Sequence, residues 1–110
     1  MGNQGLLGEF EQVVLLAVLR LGEQAYGGAV GREIEERTGR SVSRGALYVT
    51  LDRLEEKRLI GSRLGQPTPA RGGRARRYLS VTPAGVRALR GSRAALQSLW
   101  QGLDEVLEKR

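Results

Sequence analysis

One stretch of this chain decides its fold: Ser43-Arg44-Gly45-Ala46-Leu47-Tyr48-Val49-Thr50-Leu51-Asp52-Arg53-Leu54-Glu55-Glu56-Lys57-Arg58. Ser43 is a residue type that caps the N-terminus of a helix well. Leu47, Leu51 and Leu54 then recur at i, i+4 and i+7, the spacing of a helix face that packs against a core. We therefore predict a helix from Arg44 to Arg58 that is buried on its leucine side.

Two short strands are predicted after this helix, at Leu59–Leu64 and Ala75–Val81. Between them lies Gly65-Gln66-Pro67-Thr68-Pro69-Ala70-Arg71-Gly72-Gly73-Arg74, in which proline and glycine rule out regular structure. We expect the two strands to form a hairpin with a long, mobile tip.

Two further helices are predicted before the leucine-faced helix. The first runs from about Leu6 to Leu21, and Gly22 ends it. It is apolar on nearly all sides, so it needs cover on more than one side, and we expect a second chain to supply part of that cover. The second runs from near Tyr26 to Thr38 and is weakened by three glycines, each by about 1 kcal/mol relative to alanine.

The last segment is predicted to be a helix from Thr82-Pro83 to the C-terminus, because these residues are an N-cap and a first-turn proline. Its heptad seam consists of Val86, Leu89, Arg93, Leu96, Trp100, Leu103 and Leu107. All of these except Arg93 are apolar, and little else in the chain is left to bury them. We therefore predict pairing between two chains, although packing on the chain's own first helix is an alternative and both can hold.

This order of elements predicts a mainly α fold with a small β-hairpin, a winged helix-turn-helix plus a C-terminal dimerisation helix. We assign residues 1–82 to a DNA-binding domain and residues 83–110 to the dimerisation helix. In such a fold the third helix enters the major groove, and the hairpin lies on the DNA backbone or in the minor groove.

The charge distribution agrees with a DNA partner. The net charge is +6, and residues 61–77 contain five arginines and no acidic residue. Outside this segment 13 basic residues face 12 acidic ones, so the hairpin carries most of the excess. Phosphate contact and minor-groove entry both require such a concentration of positive charge. A solvated loop that only aids solubility is the alternative.

Particular residues are predicted to contact double-stranded DNA. Arg44 is placed to reach a guanine edge or a phosphate, and Gly45 permits close approach to the groove wall. Tyr48 is expected either to bind a phosphate or to pack on the core, and Arg53 either to bind a phosphate or to pair with Asp52 or Glu56. The predicted DNA-binding set is Ser43, Arg44, Gly45, Tyr48, Arg53, Arg71, Arg74, Arg76 and Arg77.

The apolar seam gives the predicted dimerisation residues. They are Val86, Leu89, Leu96, Trp100, Leu103 and Leu107. Trp100, the single tryptophan, is expected to be an interface anchor, or alternatively one wall of a pocket for a flat aromatic effector.

Several function classes are excluded by composition. Cysteine and histidine are absent, which removes disulfides and the usual residues of zinc sites and general acid–base catalysis. No nucleophile–base pair or phosphate-binding loop stands out, so we expect no enzyme, no cofactor and no metal. The apolar run from Val13 to Leu19 lacks the flanks of an export signal and is far shorter than the roughly 20 residues that span a bilayer. We expect a cytoplasmic protein without a membrane partner.

The sequence resembles the PadR-like family of transcriptional regulators over nearly its whole length. The matching segments are Val14-Leu15-Leu16-Ala17-Val18-Leu19, Ala25-Tyr26-Gly27, Ser43-Arg44-Gly45-Ala46-Leu47-Tyr48, Leu51-Asp52-Arg53-Leu54-Glu55 and Arg77-Tyr78-Leu79-Ser80-Val81-Thr82-Pro83-Ala84-Gly85. The resemblance implies a homodimeric bacterial repressor that binds an inverted-repeat operator. The single final helix resembles the short-tailed branch of the family, which lacks the larger C-terminal domain in which other members can bind effectors. Family members often have proline where this chain has Arg44 and Val49, which leaves the base preference open.

Two other functions are compatible with the sequence. One is a winged-helix protein–protein adaptor that no longer binds DNA, against which the arginine-rich hairpin argues. The other is a repressor that responds to an aromatic ligand near Trp100.

Overall fold

The computed structural model of the protein describes residues 6–108, apart from the side chain of Arg71. The elements are α1 (Glu9–Leu21), α2 (Gly27–Thr38), α3 (Arg44–Glu56), β1 (Ile60–Leu64), β2 (Arg77–Val81), α4 (Pro83–Trp100) and α5 (Asp104–Glu108). Single turns of 3-10 helix occupy Gly22–Gln24 and Pro69–Arg71. Three helices, a hairpin and a C-terminal helix follow one another as predicted, which confirms the mainly α winged-helix fold. No helix within the described range has the length and apolarity needed to cross a bilayer.

The first helix begins at Glu9, later than the predicted start at Leu6, because the preceding residues make other contacts. The amide of Gly8 donates a hydrogen bond to Oε1 of Glu11 at 3.0 Å, which closes the first turn. The amide of Leu7 donates to Oγ of Ser92, a buried residue of α4, at 3.0 Å. The beginning of the described chain is thus held against α4.

The core lies between α1, α2, α3 and the hairpin. Leu47, Leu51 and Leu54 are all buried, which confirms the predicted leucine face of α3. They pack with apolar side chains of the other elements, namely Val14, Leu15, Val18, Val30, Ile34, Ile60 and Leu79. Full burial of such a side chain contributes about 1.5–3 kcal/mol, so this cluster anchors α3 while its other side stays exposed.

The hairpin is antiparallel, with Ile60 opposite Val81 and Leu64 opposite Arg77. It is also joined to the segment between α1 and α2, since the amide of Leu79 donates to the carbonyl of Ala25 at 2.7 Å. A two-stranded sheet is marginally stable alone, and this third segment helps to fix it on the helices.

The third helix ends at Glu56, two residues before the predicted end at Arg58. Arg58 has φ +63°, the left-handed conformation, and its amide donates to the carbonyl of Glu55 at 2.9 Å. Its own carbonyl accepts a hydrogen bond from Oγ1 of Thr82 at 2.8 Å. This turn directs the chain from α3 straight into β1.

The start of α4 packs closely on the same turn. Thr82 is its N-cap, as predicted, and its Oγ1 accepts a hydrogen bond from the amide of Gly85 at 3.0 Å. Gly85 is buried against the backbone carbonyl of Leu59, and a Cβ atom at this position would overlap with that oxygen and with Val81. Only glycine allows α4 to approach the turn this closely.

We expect Gly85→Ala to destabilise the protein by about 1–3 kcal/mol, because the added methyl group must displace backbone rather than a flexible side chain. Gly91→Ala is the matched control, since a Cβ at Gly91 meets nothing within 4 Å. The control is expected to stabilise α4 by roughly 0.5–1 kcal/mol, the difference in helix propensity. Urea unfolding of both variants measures this, and equal stabilities would contradict the packing described.

The prediction of one continuous helix up to the C-terminus is wrong. The fourth helix ends at Trp100, and Gly102 takes φ +81°, which a right-handed helix does not allow. After this break α5 continues for only five residues, and residues 109–110 lie outside the described part. Glycine is the physical reason, because it adopts this conformation without the steric penalty of a Cβ atom.

Candidate nucleic-acid interface

The first turn of α3 projects into solvent. Oγ of Ser43 accepts a hydrogen bond from the amide of Ala46 at 3.1 Å, so Ser43 is the N-cap that the sequence predicted. Arg44 and Gly45 are exposed, and a Cβ atom on Gly45 would meet no atom within 4 Å. The positive end of the helix dipole lies at this turn and favours an anion such as a phosphate.

Tyr48 lies one turn further along α3, with 38% of its surface exposed. Its phenol ring covers Gly27, the first residue of α2, where any Cβ atom would overlap with the ring. Tyr48 therefore packs in part against its own chain, as one of the two alternatives predicted. The contact of its hydroxyl with a phosphate stays a prediction.

Arg53 does not make the ion pair that was expected on the surface of α3. Within residues 6–108 it pairs with neither Asp52 nor Glu56, so that expectation is wrong. Asp52 is instead 3.4 Å from Arg77. Adjacent residues of a helix point in different directions, which disfavours a pair between positions 52 and 53.

Two hairpin arginines are stacked on tyrosine rings. The guanidinium of Arg76 lies 3.8 Å from the ring centre of Tyr26, and that of Arg63 lies 4.7 Å from the ring centre of Tyr78. The two rings contact each other edge to face, with 6.0 Å between their centres. A stacked guanidinium keeps its N–H donors at its edge, where they can still bind a phosphate.

Arg77 is held by carboxylates of α3. Its guanidinium pairs with Asp52 at 3.4 Å and donates a hydrogen bond to Oε1 of Glu55. Oε2 of Glu55 also accepts a hydrogen bond from Oγ of Ser62 on β1, at 2.8 Å. The hydrogen bond from Ser62, and then that from Arg77, hold the pKa of the Glu55 carboxyl below its usual value. We call Asp52, Glu55, Ser62 and Arg77 the wing clamp.

The tip of the hairpin differs from the prediction in one respect. Proline and glycine were expected to rule out regular structure, but Pro69–Arg71 form a 3-10 turn. Gly72 and Gly73 then adopt φ +64° and +80°, and their amides donate to the carbonyls of Pro69 and Thr68. Arg74 follows with an exposed side chain, whereas the predicted contact of Arg71 rests on a side chain outside the described part.

The tyrosine stack and the wing clamp were missed by the sequence analysis. Tyr26 and Tyr78 are more than 50 positions apart, and Arg77 is 22 positions from Glu55. The one available signal was the run Arg76-Arg77-Tyr78 at the start of β2, in which alternate side chains point to opposite faces of the strand.

A separate apolar groove of about 470 Å³ lies between α1 and α4. It is lined by Gln12, Leu16, Leu19, Val86, Leu89, Arg90, Arg93, Leu96, Gln97 and Trp100. The first half of α4 packs on its own chain. Leu16 and Trp100 are 50% and 51% exposed, so the groove between α1 and α4 is open to solvent. Four of the predicted dimerisation residues line this groove, whereas Leu103 and Leu107 lie beyond the end of α4.

The family model described as "Transcriptional regulator PadR-like family" matches residues 15–91. This range runs from the middle of α1 to the middle of α4 and includes α2, α3 and both strands of the hairpin. The chain belongs to the PadR-like family. It is therefore a transcriptional regulator of a DNA-binding family, and members of that family are not enzymes.

Solved PadR-family structures share the fold. A PadR family transcriptional regulator from Eggerthella lenta DSM 2243 has 28% identity and a TM-score of 0.68, over 93% of this chain and 88% of that one. A PadR-like transcriptional regulator from Bacillus cereus strain ATCC 14579 has 20% identity and a TM-score of 0.70, over 92% and 93% of the two chains. For a PadR family transcription regulator from Clostridium difficile R20291 the values are 21% and 0.70, over 89% and 98%. A comparison with curated proteins gave no match.

Three surface features of this PadR-like regulator belong to the same fold. The exposed first turn of α3, the arginine-bearing hairpin and the apolar groove lie on one winged-helix scaffold. The predictions of fold, of family and of a regulator rather than an enzyme are confirmed.

Proposed function

We propose that this protein is a homodimeric, sequence-specific repressor that binds an inverted-repeat operator in double-stranded DNA. The observation that carries the proposal is the exposed first turn of α3, joined through the wing clamp to an arginine-bearing hairpin. In a winged helix these two elements contact the major groove and the adjacent backbone or minor groove.

On α3, the proposed contacts start at the capped N-terminus. Ser43 is fixed by its bond to Ala46, which leaves Arg44 exposed and able to reach a guanine edge or a phosphate. Gly45 offers space for a groove wall. Tyr48 and Arg53, further along the helix, are proposed to contact phosphates.

On the hairpin, the proposed phosphate contacts are Arg71, Arg74 and Arg76. Arg74 is exposed beside the left-handed Gly72 and Gly73, and Arg76 is aligned by Tyr26. Arg77 stands apart from these residues because carboxylates of α3 already neutralise its charge.

The α1–α4 groove supports the proposed dimer. Leu16 and Leu19 on α1, and Leu96 and Trp100 on α4, expose apolar surface that a second copy would cover. A two-fold dimer uses the same surface on both subunits and places two recognition helices on half-sites about one turn of DNA apart. This geometry explains why the operator is proposed to be an inverted repeat.

Selection from a random duplex library tests the proposal directly. The protein is expected to enrich sequences that share an inverted repeat, with half-site centres about 10 base pairs or a multiple of that apart. Enrichment of a single half-site would contradict the dimer, and no enrichment would contradict sequence-specific binding.

The salt dependence of binding gives a second test, centred on the hairpin tip. The logarithm of the binding constant falls by about 0.9 per neutralised phosphate for each tenfold rise in salt. Arg74→Gln is therefore expected to reduce that slope by about 1.8 for a dimer, and to weaken operator and scrambled duplexes alike. Arg20→Gln on α1 is the control, because Arg20 is paired with Glu33 away from the proposed interface. An unchanged salt slope in Arg74→Gln would show that the tip of the hairpin does not contact DNA phosphates.

A ligand-responsive repressor is a second candidate, favoured by the size and lining of the groove. About 470 Å³ lies within the range of small-molecule sites, and Trp100 supplies an aromatic wall. Flat aromatic compounds that bind there are expected to quench the tryptophan fluorescence and to release operator DNA. A flat fluorescence response across a broad panel of such compounds would contradict this candidate.

A further inference from the structure

The wing clamp joins three elements through one carboxylate. Glu55 on α3 accepts hydrogen bonds from Ser62 on β1 and from Arg77 on β2, so it contacts both strands of the hairpin. Asp52, one turn earlier on α3, holds the other side of the Arg77 guanidinium at 3.4 Å. The recognition helix and the hairpin are thus linked by side chains as well as by the core.

The charges of the clamp argue against a phosphate contact by Arg77. Two carboxylates share this guanidinium, so the group of three ionised side chains has a net charge of −1. An arginine that is already neutralised releases no counterion from DNA, and carboxylates beside it repel phosphates. Arg77 is also only 31% exposed in its side chain, unlike the exposed Arg74.

The geometry of the clamp suits a different task. An arginine that bridges two carboxylates through separate nitrogens is a directional contact, which a lysine cannot reproduce. The hairpin is also held by the pairing of its two strands, its packed apolar residues, the bond from Leu79 to Ala25, and the contacts of Tyr26 with Arg76 and Tyr78. A hairpin held at a fixed angle to α3 avoids the cost of being ordered when both elements bind the same duplex.

We propose that Arg77 is a positioning residue, which locks the hairpin to the recognition helix through Glu55 and Asp52 and does not itself bind a phosphate. The inference rests on the proposed function, in which α3 and the hairpin bind one duplex together. It assigns the phosphate contacts of the hairpin to its other arginines.

Paired substitutions at positions 77 and 74 test this role by anisotropy on the selected operator, over a series of salt concentrations. Arg77→Gln is expected to weaken binding by about 10-fold, with a loss of salt slope well below the roughly 1.8 expected of Arg74→Gln, because preorganisation but no phosphate contact is lost. Arg77→Lys is expected to recover little of the loss, since lysine keeps the charge without the two-pronged geometry. The variants at position 74 are expected to behave differently. Arg74→Gln lowers the salt slope, and Arg74→Lys keeps both the slope and the affinity of the wild type.

The opposite pattern at position 77 overturns the inference. If Arg77→Gln lowers the slope as Arg74→Gln does, and Arg77→Lys restores wild-type binding, Arg77 is a phosphate contact. Ser62→Ala is a second variant, for the case in which substitution of Arg77 impairs folding. It removes one uncharged hydrogen bond of the wing clamp, and Ser62 itself is exposed. It is expected to weaken binding about 3-fold at constant slope, and wild-type affinity in this variant also counts against the clamp.

Hydrogen exchange of the free protein separates this inference from the proposed function. The amides of β1 and β2 are expected to exchange about 10-fold faster in Arg77→Gln than in Arg74→Gln, whether or not DNA is bound. Equal rates in the two variants overturn the clamp. If the wild-type protein selects no duplex while the rates differ, the proposed function fails and the clamp stands.

Discussion

Replacing Leu16 and Leu96 together by arginine is expected to give a monomer with at least 100-fold weaker operator binding. Both side chains line the groove between α1 and α4, where Arg90 and Arg93 leave added cations without a partner. Burying unpaired charge in an interface costs several kcal/mol, and 100-fold corresponds to about 2.7 kcal/mol. A monomer also loses the simultaneous contact with two half-sites.

Sedimentation velocity measures the loss of the dimer, and anisotropy measures the loss of operator affinity, on the same samples. The matched control replaces Leu99 and Val106 by arginine, because these residues are 71% and 68% exposed and do not line the groove. Both variants gain the same charge, so a general electrostatic effect would appear in both. A groove variant that stays dimeric and binds as wild type would place the dimer interface elsewhere.

Gly45→Gln is expected to lower operator affinity by about 30-fold or more while the folded protein becomes slightly more stable. Nothing lies within 4 Å of a Cβ at this position, so the fold has room for the side chain. Glutamine is a better helix former than glycine, by roughly 0.5–1 kcal/mol. In the proposed complex, however, a groove wall occupies that space, and the added side chain must displace it.

Gly91→Gln is the control for this variant. Gly91 is also an exposed helical glycine with open space around its Cβ position, but it lies on α4. It is expected to gain similar stability without loss of affinity, as measured by thermal unfolding and by anisotropy. Wild-type affinity in Gly45→Gln would show that α3 does not approach a groove wall at this residue.

The winged helix was predictable because its decisive signals are local. Ser43 and Thr82 cap the helices that the sequence assigned to them, and the spacing of Leu47, Leu51 and Leu54 fixes the buried side of α3. Such signals depend on residues within one or two turns, which a single sequence displays directly.

The remaining features depend on contacts between distant parts of the chain. Periodicity places Arg53 and Arg77 near the surface but does not say which carboxylate each one meets, so the alternative pairing of Arg53 with Asp52 or Glu56 was wrong and the pairing of Arg77 with Asp52 was missed. The break at Gly102 was missed because the heptad pattern continues through it to Leu103 and Leu107. An apolar repeat constrains one face of a helix, whereas a left-handed glycine ends the helix whatever its faces carry.

The central claim, a dimeric DNA-binding regulator, is tested most directly on the DNA just upstream of the protein's own gene. The purified protein is titrated against that duplex and a scrambled duplex by anisotropy, at two salt concentrations. We expect tight, selective binding with two protomers per site, which weakens steeply at the higher salt. Equal, weak binding to both duplexes at both salt concentrations would contradict it.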